Sequence, residues 1–258
     1  MAWAQPATGA VTGESIVAGP VPTTQSAVSY AGLSLNLGWN TTYDADFNPV
    51  LQRAVLHLDN GFRFDTTGVA PCQLSSIESQ FHDQAVAACP NSLVATGGAS
   101  VNDGAVAAIV DVFKASASAD TPAVFVHFDV GPGATTFTVP GTFGAWSRGG
   151  DFGTQIDMGP FLNTPGLAIT QLNLFFPNEE PSPAHHLVSA GCEPDQIWNF
   201  AGDLTYYGGT ATTASAASRC SSVPAITGKR AAALKKCKKK RSKQARQKCR
   251  RKARKLPA

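Results

Sequence analysis

The sequence predicts an all-β protein, an antiparallel β-sandwich of jelly-roll or immunoglobulin-like order, closed by a C-terminal basic helical hairpin. Three observations predict it. Short segments of alternating apolar residues recur between Gly- and Pro-rich breaks, no ten-residue helical period occurs before the last thirty residues, and those last residues are mostly helix formers. Of the 258 residues, 43% are hydrophobic and 15% charged, the latter well below the ~25% usual for globular domains. That balance is frequent in exported β proteins, and the length suits one large domain with appendages.

Residues 1–29 are rich in Gly, Pro, Thr and Ser and are expected to form a flexible opening segment. Within them Ala2-Trp3-Ala4 has the small-x-small form of a signal-peptidase site, so Gln5 is the expected mature N-terminus and a leader is expected upstream. The body is expected over residues 30–220. Leu33, Leu35 and Leu37 alternate with Ser34 and Asn36, the period-two pattern of a half-buried strand. Residues 55–58 and 62–64 flank Asp59-Asn60-Gly61 and read as a hairpin. Further strands are expected at 106–113, 123–130, 135–139, 167–176 and 196–207. The breaks between them are Gly97-Gly98, Gly131-Pro132-Gly133, Gly149-Gly150, Pro181-Ser182-Pro183 and Gly208-Gly209. One helix is expected in the body, at 74–88. A linker at 221–228 leads to the basic tail, residues 229–258.

Six cysteines fall as three adjacent pairs, Cys72/Cys89, Cys192/Cys220 and Cys237/Cys249, and nearest-neighbour bonding is the simplest of the fifteen possible pairings. No CxxC occurs, which disfavours zinc ribbons and thioredoxin-type sites. Closing the first two loops would each stabilise the fold by about 3 to 4 kcal/mol on the chain-entropy view. Such bonds need an oxidising compartment, so a secreted or cell-surface location is expected. No run approaches eighteen uninterrupted apolar residues, the length a spanning helix needs.

Pro71-Cys72, followed by Cys89-Pro90-Asn91-Ser92-Leu93-Val94-Ala95-Thr96-Gly97-Gly98, resembles a stretch found in uncharacterised secreted β-rich proteins of actinobacteria. The order Cys192, Trp198, Cys220 and the Lys-rich ending with two cysteines are similar to theirs as well. The resemblance covers residues 50–100 and 190–258 and departs from the family at Gly97-Gly98, where its glycines are usually spaced apart. It implies export and a β fold, and it implies no reaction.

Charge is segregated. Residues 229–258 hold sixteen Lys or Arg and no acid, whereas the body sets Arg53, Arg63, Lys114, Arg148 and Arg219 against all eighteen acids, a net of −13. The expected polyanion-binding residues are Lys235, Lys236, Lys238, Lys239, Lys240, Arg241, Lys243, Arg246, Lys248, Arg250, Arg251, Lys252, Arg254 and Lys255. Ala233, Cys237, Ala245, Cys249 and Ala253 fall on a four-residue ladder broken at Arg241, a narrow apolar stripe. In one straight helix the two cysteines would stand about 18 Å apart, too far to bond. A hairpin turning at 241–243, with Ser242 as cap, joins them.

The expected partner is an anionic envelope polymer or an anionic lipid surface, with sequence-blind nucleic-acid binding an alternative. A solvated run serving solubility, and docking on acidic bodies, its own or a neighbour's, remain open beside it. No aromatic residue interleaves the tail, so base stacking is unsupported.

Within the body, His57 and His127 lie in strand patterns and read as partnered strand histidines, and His82 falls in the expected helix. His185-His186 is a weak transition-metal signal. Asp44, Asp46 and Asn48 repeat the start of a calcium loop, but Pro49 stands where Gly is needed and no terminal Glu follows. Trp39, Tyr43, Trp146, Trp198, Tyr206 and Tyr207 are expected mostly in the core rather than on a sugar-binding face. Glu179-Glu180 alone do not make a glycosidase pair. GxSxG, HExxH and phosphate-loop motifs are absent. No cofactor, metal or catalytic residue is assigned, and the expectation is a non-enzymatic protein; the alternative is a secreted hydrolase or carbohydrate-binding module anchored by the same tail.

Overall fold

The computed structural model describes residues 10–26, 31–44, 50–102, 105–115, 123–131, 136–145, 151–162, 168–178, 186–192, 195–223, 228–238 and 242–254. The expected signal-peptidase site, Trp146, and the breaks at 149–150 and 181–183 lie outside them. The strands are β1 (Val11–Val21), β2 (Thr24–Ser26), β3 (Ala31–Gly32), β4 (Ser34–Tyr43), β5 (Leu51–Asp59), β6 (Phe62–Phe64), β7 (Leu93–Val101) and β8 (Val106–Lys114). They continue with β9 (Ala123–Asp129), β10 (Phe137–Ala145), β11 (Phe152–Met158), β12 (Ile169–Phe176), β13 (Val188–Ala190), β14 (Ile197–Tyr206), β15 (Ala211–Arg219) and β16 (Ser221–Val223). Helices are α1 (His82–Ala88), α2 (Gly228–Lys238) and α3 (Lys243–Arg254).

The protein is mostly β and its main sheet is antiparallel, as the alternation predicts. The sheet does not divide into two layers by its hydrogen bonds. One eleven-stranded ladder runs β1-β4-β12-β7-β8-β9-β10-β11-β5-β14-β15, and its two end strands lie against each other, so the sheet is nearly a barrel. With an odd number of alternating strands the first and last run in the same direction, so any closing pair is parallel. Such a pair occurs where β2 continues β1 and β16 continues β15: Ser221 stands opposite Thr24 in a parallel ladder.

Alternation fills the interior. Leu35, Leu37 and Trp39 of β4, Leu56 and Leu58 of β5, Leu172 and Leu174 of β12, and Trp198, Phe200 and Leu204 of β14 belong to one buried cluster. Burying each such side chain contributes about 1.5 to 3 kcal/mol. A second, three-stranded sheet, β3-β13-β6, adds Phe62, Val188 and Ala190 to that cluster, and Phe64 stacks on Phe143 at 4.6 Å between ring centres. Trp39, Trp198 and Tyr206 are core residues, which removes them from any sugar-binding face.

Several expectations are corrected. Residues 11–21 are a full strand rather than flexible chain, because Ile16 and Pro20 are buried on the core side; a Cβ on Gly202 would come within 2.4 Å of the Ile16 Cδ1. Residues 55–64 make no hairpin: the Gly61 N–H donates to Asp59 Oδ1 at 2.9 Å in a tight turn, but β6 then pairs with β13. Gly97-Gly98 is strand interior, not a break. A Cβ on Gly97 would stand 1.9 Å from the Asn173 carbonyl oxygen, so glycine permits the close approach of β7 and β12. The helix expected at 74–88 is a short 3-10 turn at Leu74–Ser76 followed by α1.

The seam between β1 and β14 carries a buried polar contact. Tyr206 Oη donates to Glu14 Oε1 at 2.5 Å and lies 3.1 Å from Thr41 Oγ1, and burial together with the Glu14 carboxyl pushes the phenol pKa up. Tyr206→Phe leaves both partners short of a bond in a dry place. A loss of about 2 kcal/mol in denaturant unfolding is expected, with an unchanged m-value.

Candidate functional site

The tail folds as its sequence predicts. Cys237 and Cys249 are bonded with Cα atoms 5.4 Å apart, which sets α2 and α3 side by side. Ser242 caps α3: the Ala245 N–H donates to its Oγ at 3.2 Å, satisfying a donor that has no partner within the helix. Cys237 and Ala253 are buried, and Ala233, Leu234 and Cys249 are partly buried. Ala245 is exposed, against the expected ladder.

Lys235, Lys236, Lys238, Arg246, Lys248, Arg250, Arg251 and Lys252 are all exposed, and among the described residues none of them makes an ion pair. Lys243 and Arg254 belong to α3; Lys239, Lys240, Arg241 and Lys255 lie outside the described residues. Among its described side chains the hairpin thus presents many cations over few buried apolar groups.

The other two disulfides also pair neighbours. Cys192–Cys220 ties the chain before β14 to the end of β15, a strand of Ala, Ser and Thr ending in Arg219 that pairs with β14 along its whole length. Cys72–Cys89 closes an excursion over the outer face of β8 and β9, where Cys72, Ile77, Ala85, Cys89 and Phe113 form a second small apolar cluster.

Beneath that excursion lies an arrangement that no local motif announces. Asp111 of β8 and His127 of β9 are register partners, and both are fully buried. His82, the first residue of α1, sets its Nδ1 2.6 Å from Asp111 Oδ2, while its backbone N–H donates to Asp129 Oδ2 at 2.8 Å. His127 Nε2 is 2.9 Å from the Gln80 carbonyl oxygen, which only a donor can satisfy; its Nδ1 therefore accepts from the Thr138 hydroxyl at 3.0 Å. Burial lowers the His127 pKa, so this ring is neutral. The hydrogen bond to Asp111 raises that of His82, and burial raises that of Asp111, with His82 opposing.

The His82 side chain is one-third exposed, so its Nε2 can exchange protons with solvent. Among the described residues no Ser or Cys bonds to it, so no nucleophile completes a triad. His57, also buried, rests 2.9 Å from Asp203, a partnered strand histidine as expected. No cluster of three or more His, Cys, Asp or Glu suited to a metal occurs among the described residues. Asp44 Oδ2 accepts from the Ala10 N–H at 3.1 Å, while Asp46, Asn48, His185 and Glu179-Glu180 lie outside the described residues. A groove of about 620 Å³ beside Pro140, Gly141 and Pro160 has the exposed Arg53–Asp157 ion pair at its edge.

Comparison with protein-family models, with curated proteins and with solved structures returns no match. The functional reading therefore rests on the chain's own residues. The described residues contain no helix long and apolar enough to cross a membrane.

Proposed function

We propose that this is a secreted, non-enzymatic protein of the cell envelope, retained on an anionic polymer or anionic lipid surface by its C-terminal hairpin. One observation supports this above the rest: the Cys237–Cys249 bond gathers two cationic helices into a unit whose thirty-residue segment has no acid. A solubilising run needs charge but no fixed shape. Close packing of cations raises the local potential, and a polyanion laid on it releases its condensed counterions. Three disulfides in one chain fit an oxidising compartment, and the resemblance to secreted actinobacterial proteins points the same way.

The test compares the full chain with an Arg246→Gln, Arg250→Gln, Arg251→Gln variant on polyphosphate beads, anionic vesicles and double-stranded DNA. Gln keeps the helix while removing charge. Binding is expected to fall for the variant on whichever surface holds the intact chain. Equal retention of both proteins, or no retention on any surface in dilute buffer, overturns the proposal. The three surfaces distinguish polymer, lipid and nucleic acid as the source of the anions.

A further inference from the structure

We propose that the outer face of β1, β4, β12, β7 and β8 binds an uncharged polysaccharide, a second site independent of the tail. Strand register builds this face. Asn40 stands opposite Gln171, Gly38 opposite Asn173 and Asn36 opposite Phe175, and the same three rows run on into β1 on one side and into β7 and β8 on the other. These side chains point away from the core, because their neighbours Leu35, Leu37, Leu172 and Leu174 fill it. The rows hold fifteen positions, of which only Asp111 is charged, and Asp111 is covered by His82. The remaining residues are Asn, Gln, Ser, Thr, Gly, Ala, Val, Ile109 and Phe175. In a body with a net charge of −13, so wide a neutral surface singles out a neutral partner.

The chemistry of the face selects sugar hydroxyls. Each carboxamide offers both donors and an acceptor, matching hydroxyls that do both. Among the described residues the side chains of Asn36, Asn40 and Asn173 take no hydrogen-bond partner; only Gln171 does, accepting from Ser100 at 3.3 Å. Beside Asn173 on β7, Gly98 carries no side chain and a Cβ there would meet only the Ala108 carbonyl oxygen at 3.5 Å, which keeps the middle row low on that side. Phe175 is 41% exposed and Ile109 45%. An open aromatic face attracts the slightly positive C–H bonds of a sugar ring. Beside Phe175 a cavity of about 330 Å³ lies between Pro90, Leu93, Thr96 and Pro177, adding depth at one margin. The face spans roughly 20 Å across the strands and about 14 Å along them, on strand and residue spacings, enough for a short stretch of glycan.

The test is sedimentation of the full chain with insoluble cellulose, starch, β-1,3-glucan, mannan and chitin in about 1 M salt, where the Debye length is only about 3 Å and the tail contributes little. Retention is expected on at least one of these. Phe175→Ala and Asn173→Asp should each weaken it about tenfold, whereas Ile197→Ala, an exposed apolar residue of β14, should leave it unchanged; circular dichroism checks folding. No retention on any of the five, or equal retention by all variants, overturns the proposal. A salt-sensitive retention overturns it too, since that belongs to the tail. So does an effect of Phe175→Ala on self-association in sedimentation velocity without one on glycan, which would make the face a contact between copies. Failure here leaves the tail reading standing, and the reverse also holds.

Discussion

Raising salt from about 50 to about 200 mM is expected to weaken binding of the intact protein to double-stranded DNA about a hundredfold. Among the described side chains eight exposed cations are distributed around α2 and α3, and an antiparallel pair of helices cannot turn all of them to one polymer. If about four engage, the log–log slope is near −4, and a fourfold change in salt then gives about two decades. The disulfide decides how many engage. Among the described side chains of the hairpin only Cys237 and Ala253 are fully buried, and so small a contact cannot hold two helices of like charge together. Cys237→Ser with Cys249→Ser should therefore open the hairpin, spread the charge and flatten the slope at unchanged net charge. Isothermal titration over a salt series measures this directly. A slope near zero for the oxidised protein, or the same slope in the double variant, would sink the idea of a shaped cationic unit.

The tail was legible because everything that defines it is local. Eleven residues between two cysteines, a serine among them and Gly228 before them determine the hairpin without reference to the rest of the chain. The strands rich in Leu, Val and Phe were legible for the same reason, since period-two alternation is a property of neighbouring residues. The strands that escaped lack that contrast. β15 alternates exposed and half-buried positions perfectly, yet it does so with Ala, Ser and Thr, whose hydropathies hardly differ. β7 was concealed by its paired glycines, which ordinarily mark turns and here let two backbones approach. β6 was placed next to β5 because the Asp59 turn is real. What the sequence does not disclose is that Asp59 Oδ2 also accepts the Asn199 N–H at 3.0 Å, binding the turn to β14 while β6 leaves for β13. Whether the ladder splits into two sheets or curls on itself depends on strand order, which alternation alone does not encode. The His82–Asp111 pair left one trace: Asp111, Phe113, Phe125 and His127 occupy outward positions of β8 and β9, mixing aromatic and ionisable groups where an exposed face would be plainly polar. That mixture signals a covered face, and the closed loop between Cys72 and Cys89 is its cover.

His82→Ala is expected to cost about 3 kcal/mol near neutral pH, the low end of the range for breaking a buried ion pair, because the imidazole is one-third open to water. The cost arises at Asp111. With the ring gone, a fully buried carboxylate keeps no counter-charge, and its Oδ1 already lacks a hydrogen-bond partner. The penalty should then shrink as pH falls, because protonating Asp111 removes the buried charge. In the intact protein the signs differ from group to group. His82, with its raised pKa, stabilises the fold fully below its ordinary value of 6.5, and that contribution is lost as pH rises through the folded-state pKa. His127, with its lowered pKa, stabilises fully above 6.5 and loses its contribution as pH falls below that value. Burial of Asp111 acts in the same sense as His82, favouring the proton-bound state. In the intact protein His127 weakens the fold as pH falls below 6.5 and His82 weakens it as pH rises above, and His82→Ala should abolish the fall on the alkaline side. His82→Gln, which can still donate to Asp111 without charge, should recover part of the loss and likewise lack the alkaline fall. Urea unfolding of the three proteins across about pH 5 to 8 reads all of this at once. A loss in His82→Ala that stays constant over that range would mean the imidazole acts through packing alone, and the charge pairing under the Cys72–Cys89 excursion would have to be abandoned.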